Sequence, residues 1–246
     1  TNRIEYKAQL TKDVDLEKEV VAFLNYREGG FIYVGIDKTG MVLGINDADG
    51  DALKIKAHRQ DLSFEQLRIY YEEKKKPLNK QFKKNLELLT EDGSLNYAGY
   101  LLADENNISI KAAKYSGTNR VDLIENNEYG YCSLVKSTKS VLDKIDLENR
   151  TSATITSKER KEQRRWNAIA LREAIINAFV HNDYTREIPP KFEIFDDRIE
   201  ITSAGSLPEG LSQEEFFEGY SIPRNKELMR VYKDLEMVEQ LGSGIP

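Results

Sequence analysis

The sequence predicts a mixed α/β fold of the α+β type, and three observations carry that prediction. Stretches with apolar residues at helical spacing, such as LREAIINAFVHNDY (Leu171 to Tyr184), occur alongside short runs that alternate apolar and polar residues, such as KFEIFDDRIEI (Lys191 to Ile201). Turn-forming pairs punctuate them, including Gly29-Gly30, Pro189-Pro190 and Asp196-Asp197. At 246 residues, 39% hydrophobic and 9% aromatic, the chain is long enough for two domains with ordinary cores.

Taken in order, Leu16, Val20, Phe23 and Leu24 form a helical stripe that Gly29-Gly30 ends. Phe31 to Ile36 then turns through Asp37-Lys38-Thr39-Gly40 into Met41 to Ile45, which predicts a helix packed on a hairpin. At Lys56 the text passes abruptly into AHRQDLSFEQ, and a segment is expected to be missing between Lys56 and Ala57. Further on, Leu62 to Lys75 predicts a helix with Phe64, Leu67 and Tyr71 on one face and Ser63 as its N-cap. Pro77 breaks it, and helical spacing resumes from Asn79 to Leu89. Leu95 to Leu102 predicts a short helix, Ser109 to Tyr115 and Val121 to Ile124 strands, and Ser133 to Asn149 a helix. The expected division is 1–57, a connecting α/β region 58–150, and 151–246.

The 171–184 stretch threads a narrow polar stripe through an apolar helix. At ~100° per residue, Glu173, Asn177, His181 and Tyr184 fall within roughly an 80° arc. Leu171, Ala174, Ile175, Ala178 and Phe179 form the opposite wall, with Ile176 and Val180 flanking the stripe. A helix apolar on nearly every face is normally buried, so this stripe is expected to look into a cleft. A charge there needs a partner, and a metal ion, a water or a phosphate would serve. The same spacing also suits a core pair satisfied within the protein, Glu173 with Asn177.

After Pro189-Pro190, the alternation around Asp196-Asp197 predicts a tight hairpin that runs into TSAGSLPEG, where Gly205 and Gly210 permit close backbone approach to a ligand. Ser212 and Glu215 match a capping box for a helix over Gln213 to Glu218. Following SIPRN, an amphipathic helix is predicted from Lys226 to about Leu241, with Leu228, Val231, Tyr232, Leu235 and Val238 on one side and Gly242-Ser243-Gly244 as its stop.

These motifs (LREAIINAFVHNDY, FDDRIEI, SAGSLPEG, SIPRN and EQLGSGI) resemble the histidine-kinase-like ATPase module of a family of bacterial transcriptional regulators. The resemblance implies a GHKL-like α/β sandwich for 151–246. It assigns Glu173 as general base and Asn177 as Mg²⁺ ligand, with Asn177, His181, Asp183, Gly205, Gly242 and Gly244 around ATP. Mg²⁺ takes one or two protein oxygens beside phosphates and waters, which suits that set. Where GHKL enzymes carry an adenine-reading Asp, this chain has Ser203-Ala204-Gly205. The helicase label sometimes attached to the family finds no GxxxxGK[ST] loop here.

At the other end, IEYK, the helical LEKEVVAFLNYREGG and FIYVGIDKTGMVLGI resemble a Schlafen-type, Alba-like DNA-binding domain. Some relatives of that domain are metal-dependent nucleases, which points to Glu5 and Asp37 as metal ligands.

The net charge of −6 confines any nucleic-acid contact to a local patch. Candidates are Lys7, Lys74, Lys75 and Lys76, continued by Lys80, Lys83 and Lys84, or alternatively Arg160, Lys161, Arg164 and Arg165. One cysteine, Cys132, precludes an intrachain disulfide and fits a cytoplasmic location, and no apolar run reaches a membrane span. Three functions fit these residues: a DNA-binding transcriptional regulator switched by ATP and Mg²⁺, a divalent-metal nuclease, and a non-catalytic scaffold with its polar stripe satisfied internally. Self-association is left open.

Overall fold

The structure, a computed structural model, describes residues 4–7, 31–34, 36–42, 53–155, 159–186, 188–207, 211–218 and 222–238. The chain divides into two compact units, Thr1–Asp51 and Ala52–Pro246, and both helices and strands build it, as the sequence predicts.

In the first unit, β1 (Ile4–Lys7) pairs in parallel with β2 (Phe31–Val34), from Ile4↔Phe31 to Lys7↔Val34. Parallel neighbours require a crossover of a dozen residues or more between them. The helix expected from Leu16 falls in that connection, outside the described residues. The expected turn is present: Ile36 bridges Val42, the Asp37 N–H donates to the Met41 carbonyl at 3.0 Å, and Gly40 takes φ +87°. That dihedral suits a residue without a Cβ.

The second unit opens with Ile55, Lys56 and Ala57 paired in order against Tyr97, Asn96 and Leu95. Three helices follow, α1 (Glu65–Glu73), α2 (Phe82–Asn85) and α3 (Tyr97–Leu102). Ser63 does not cap α1. Its first N–H groups, of Glu65 and Gln66, donate instead to the carboxylate of Asp104 at 2.7 and 2.8 Å. The cap thus comes from far along the chain, which local spacing cannot reveal.

Helical spacing between Asn79 and Leu89 yields only the single turn of α2. The Glu87 N–H bonds the Lys84 carbonyl and the Leu88 N–H the Lys83 carbonyl, while Glu87 sits at φ +59°. This is a Schellman ending with a glutamate in the left-handed position. The turn aims Leu86 and Leu88 into the core.

Strands β3 (Lys111–Ser116) and β4 (Asp122–Glu128) form an antiparallel hairpin, followed by helix α4 (Leu134–Glu148). Next come the antiparallel pair β5 (Thr151–Ile155) and β6 (Arg160–Arg164), then helix α5 (Ala168–Val180). Strand β7 (Lys191–Ile194) returns parallel to β3, and β8 (Ile199–Thr202) folds back on β7 through the predicted Asp196-Asp197 turn. The resulting four-stranded sheet has the order β4-β3-β7-β8.

Helices α6 (Gln213–Phe217) and α7 (Lys226–Asp234) complete the described chain. The capping box of α6 is reciprocal, Ser212 N–H to Glu215 at 2.9 Å and Glu215 N–H to the Ser212 hydroxyl at 3.1 Å. Helix α7 buries Leu228, Val231 and Tyr232, and ends seven residues short of the expected Leu241, with Glu236 left-handed at φ +58°. Phe192 and Ile194 turn their side of the sheet into one core shared with Ile175, Phe179, Val141 and Val231.

Candidate functional site

Helix α5 begins where the Asn167 side chain accepts from the N–H groups of Ile169 and Ala170 at 2.9 and 3.2 Å. Its other end lacks a glycine, yet its orphan carbonyls are satisfied by side chains. The Tyr184 hydroxyl donates to the Phe179 carbonyl at 2.9 Å, and the Asn225 amide donates to the carbonyls of Val180 at 2.7 Å and Asn182 at 2.9 Å. Tyr184 therefore leaves the polar stripe: the helix stops at Val180, and the tyrosine folds back in a short 3₁₀ turn, Tyr184–Arg186, fully enclosed by protein.

The buried side of α5 comprises Ile175, Ile176, Ala178, Phe179 and Val180. Leu171 and Ala174, expected in that wall, are only half-buried, whereas Ile176 and Val180 lie inside it. The wall is rotated, and the stripe sits at the solvent edge: Glu173 is half-buried and Asn177 exposed. Among the described residues neither side chain has a hydrogen-bond or ion-pair partner, so they are not a pair satisfied within the core. Glu173 and Asn177 thus stand one turn apart on one face of a helix fixed at both ends.

The C-terminal end of α5 is locked. The Asp183 N–H donates to the Ala204 carbonyl at 2.9 Å, while the Asn182 side chain accepts from the Ala204 N–H at 2.8 Å and donates to the Ile188 carbonyl at 3.0 Å. The Asp183 carboxylate receives the Thr185 N–H at 3.1 Å and hydroxyl at 2.5 Å, and pairs with Arg186 at 3.0 Å. Gly205 adopts φ +112°, and a Cβ there would lie 3.1 Å from both the Arg224 guanidinium and the Asp183 Cβ. Arg224, buried, donates to the Ser206 carbonyl. The glycine thus lets buried Arg224 pack against the loop. His181 has its pKa lowered, first by burial and then by the positive charge of Arg224, so it is held neutral. HNDY, SAGS and the Arg224-Asn225 pair, distant in sequence, are brought together here.

The structure brings His181, Asp183 and Gly205 into this one cluster, beside the helix that carries Glu173 and Asn177. Gly242 and Gly244 lie outside the described residues. Sequence reasoning missed Asn182, Arg224 and Asn225. The RN of SIPRN is their only local signal, since a polar pair opening an amphipathic helix is otherwise read as exposed.

In the first unit, Glu5 pairs with Lys7 at 3.0 Å. A single carboxylate oxygen of Asp37 accepts from the Thr39 N–H, the Thr39 hydroxyl and the Met41 N–H at 2.8, 2.6 and 2.9 Å, and these bonds lower its pKa. Asp37 is a turn-maker, and no cluster of three or more metal-ligating His, Cys, Asp or Glu occurs among the described residues. The lysine run is also largely committed. Lys74 and Lys76 pair with Glu236 at 2.8 and 3.6 Å, and Lys76 donates to the Asp234 carbonyl at 2.7 Å, tying α1 to the end of α7. Lys75 stands exposed between them at φ +56°.

Two family models match the chain. Residues 1–111 match the one described as "Schlafen, AlbA_2", and residues 188–246 the one described as "Putative ATP-dependent DNA helicase recG C-terminal". The chain is therefore similar to an AlbA_2-type domain at one end and to an ATPase-like domain at the other. No curated protein matches it. Among solved structures, the crystal structure of the DIP2311 protein from Corynebacterium diphtheriae aligns with a TM-score of 0.63 at 15% identity, over 98% of this chain and 68% of that one. At that identity the likeness is one of fold. No helix among the described residues is long and apolar enough to cross a membrane.

Proposed function

We propose that this protein binds nucleic acid and uses its C-terminal ATPase-like unit as a nucleotide-sensitive switch, in the manner of a transcriptional regulator. The observation that supports it is the pair Glu173, half-buried, and Asn177, exposed, which have no hydrogen-bond or ion-pair partner among the described residues and sit on a helix whose two ends are fixed. An amide oxygen and a carboxylate with free lone pairs fit a Mg²⁺–triphosphate, in which the ion takes few protein oxygens. Asn177 would hold the ion and Glu173 would orient and deprotonate a water. The ion, when bound, would neutralise charge on the phosphates. His181, kept neutral, adds no positive charge beside Arg224. The match to a family whose description names ATP dependence and DNA points the same way.

A nucleotide shifts such a protein only through unequal affinity for two of its conformations. Melting with and without ATP and Mg²⁺ tests the first half of the proposal. At 100-fold excess over Kd, a ligand of the native state adds about 2.7 kcal/mol. The wild type should melt higher with both ligands present, Asn177→Ala should lose that gain, and Glu173→Gln should keep it while abolishing phosphate release. A wild-type melting point unmoved by millimolar ATP and Mg²⁺ would sink the switch.

A further inference from the structure

We infer that the β5–β6 ribbon is a contact surface for duplex DNA; the inference rests on the nucleic-acid part of the proposed function and assigns it a place in the second unit. Residues 150–165 (RTSATITSKERKEQRR) hold six Lys or Arg against two Glu, in a chain whose net charge is −6. It is one of two basic segments in an acidic protein; in the other, Lys74 to Lys84, Lys74 and Lys76 are committed to Glu236. Such a local patch lets a net-negative chain bind a polyanion.

The shape fits the charge. Residues 151–155 and 160–164 form an antiparallel ribbon, registered from Thr151↔Arg164 to Ile155↔Arg160, that joins no other strand among the described residues. Five residues at about 3.4 Å each give a ribbon roughly 17 Å long. The DNA major groove, about 12 Å wide, admits a two-stranded ribbon. Thr151, Arg160, Gln163, Arg164 and Arg165 are exposed.

The ribbon is also held firmly at its base. The Asn149 side chain, buried, donates to the Trp166 carbonyl at 3.0 Å and accepts the Trp166 N–H at 2.9 Å, and the Arg165 N–H donates to the Arg150 carbonyl at 3.1 Å. The Arg165 guanidinium lies over the Trp166 ring, 4.6 Å from its centroid. Arg164 pairs with Asp146 at 2.5 Å, but both side chains are about half exposed. An exposed pair of this kind contributes little, so exchanging Asp146 for a phosphate costs little. Arginine forms paired hydrogen bonds to phosphate, and the amide of Gln163 can do so to adenine.

The test is fluorescence anisotropy of the full chain on a labelled duplex of ~20 base pairs, titrated between about 50 and 300 mM salt. The variant Arg160→Gln/Lys161→Gln/Arg164→Gln/Arg165→Gln, checked for unchanged melting, should bind at least 10-fold more weakly at 100 mM salt. Its log–log salt slope should be shallower by about 2 to 3, at ~0.9 for each phosphate that the variant no longer neutralises. If that variant unfolds, Arg160→Gln alone at the far end of the ribbon should still give a several-fold loss. Wild-type binding with the ribbon variant within twofold of it and of equal slope overturns the inference and leaves DNA binding standing. A wild type that ignores duplex DNA, or prefers an RNA hairpin, overturns the inference together with the DNA part of the proposed function.

Discussion

Replacing Asn225 tests how the candidate site is built. Its side chain is almost completely buried, and its amide donates at 2.7 and 2.9 Å to two carbonyls at the end of α5, those of Val180 and Asn182. Both of those residues are themselves buried. Asn225→Ala removes both donors and strands two acceptors away from water. A stranded buried acceptor costs about 1–3 kcal/mol, so the pair is worth about 2–6 kcal/mol, a large share of a typical domain's stability. Asn225→Asp keeps the shape but aims a carboxylate at two carbonyl oxygens, and should be worse near neutral pH than Asn225→Ala. The assay is urea unfolding followed by tryptophan fluorescence, because the chain's single tryptophan, Trp166, reports on the second unit alone. An unchanged m-value with a lower midpoint would place the loss in the native state. A loss below about 0.5 kcal/mol for Asn225→Ala would refute the reasoning, since it would mean that those carbonyls find other partners at no cost.

Four further outcomes follow from the geometry. Tyr184→Phe removes the donor to the Phe179 carbonyl and should lower stability by about 1–2 kcal/mol in the same assay. Gly205→Ala places a Cβ at φ +112° against Arg224 and Asp183 and should destabilise by about 1–3 kcal/mol, with a fall in melting temperature as the readout. Because the folded protein lowers the pKa of His181 from an unfolded value near 6.5, its neutral form is favoured by folding. Stability should be full above about pH 7 and fall as pH drops through 6.5 and below, and His181→Gln should flatten that part of the pH–stability curve. Lys75→Gly relieves a left-handed lysine at the end of α1 and should raise stability by about 0.5–1 kcal/mol, the net of relieved strain and a more flexible unfolded chain, measured as a higher urea midpoint.

Most elements of the second unit were legible because their signals are local. The Asp196-Asp197 hairpin, the reciprocal Ser212–Glu215 capping box and the Leu134–Glu148 helix each rest on residues within a few positions of one another. Helix ends were the weak point. Lys75, Glu87 and Glu236 each hold the left-handed place in a Schellman ending, where the sequence offers no glycine to announce a stop. Asp104 capping α1, and Asn225 capping α5, act across long separations that periodicity does not encode. The β5–β6 ribbon was hidden for another reason: a run such as RKEQRR has the composition of a solvated helical face, and only pairing with TSATI makes it a strand.

The candidate site itself was half legible. Spacing groups Glu173, Asn177, His181 and Tyr184 in one stripe and the family resemblance adds Asp183, but neither separates their duties. His181 and Asp183 sit at the locked end, among bonds that fix where α5 stops, whereas Glu173 and Asn177 face outward without partners among the described residues. Burial explains the division. A polar group inside protein is stable only when satisfied, and buried Asp183 is satisfied by Thr185 and Arg186, whereas Asn177 is exposed and water can serve it. The two groups should therefore respond to substitution in opposite ways. Changes at Asn225, Tyr184 or Gly205 should lower stability whether or not nucleotide is present. Asn177→Ala and Glu173→Gln should leave the ligand-free melting point within about 0.5 kcal/mol of wild type, as surface changes do, and alter only the response to ATP and Mg²⁺.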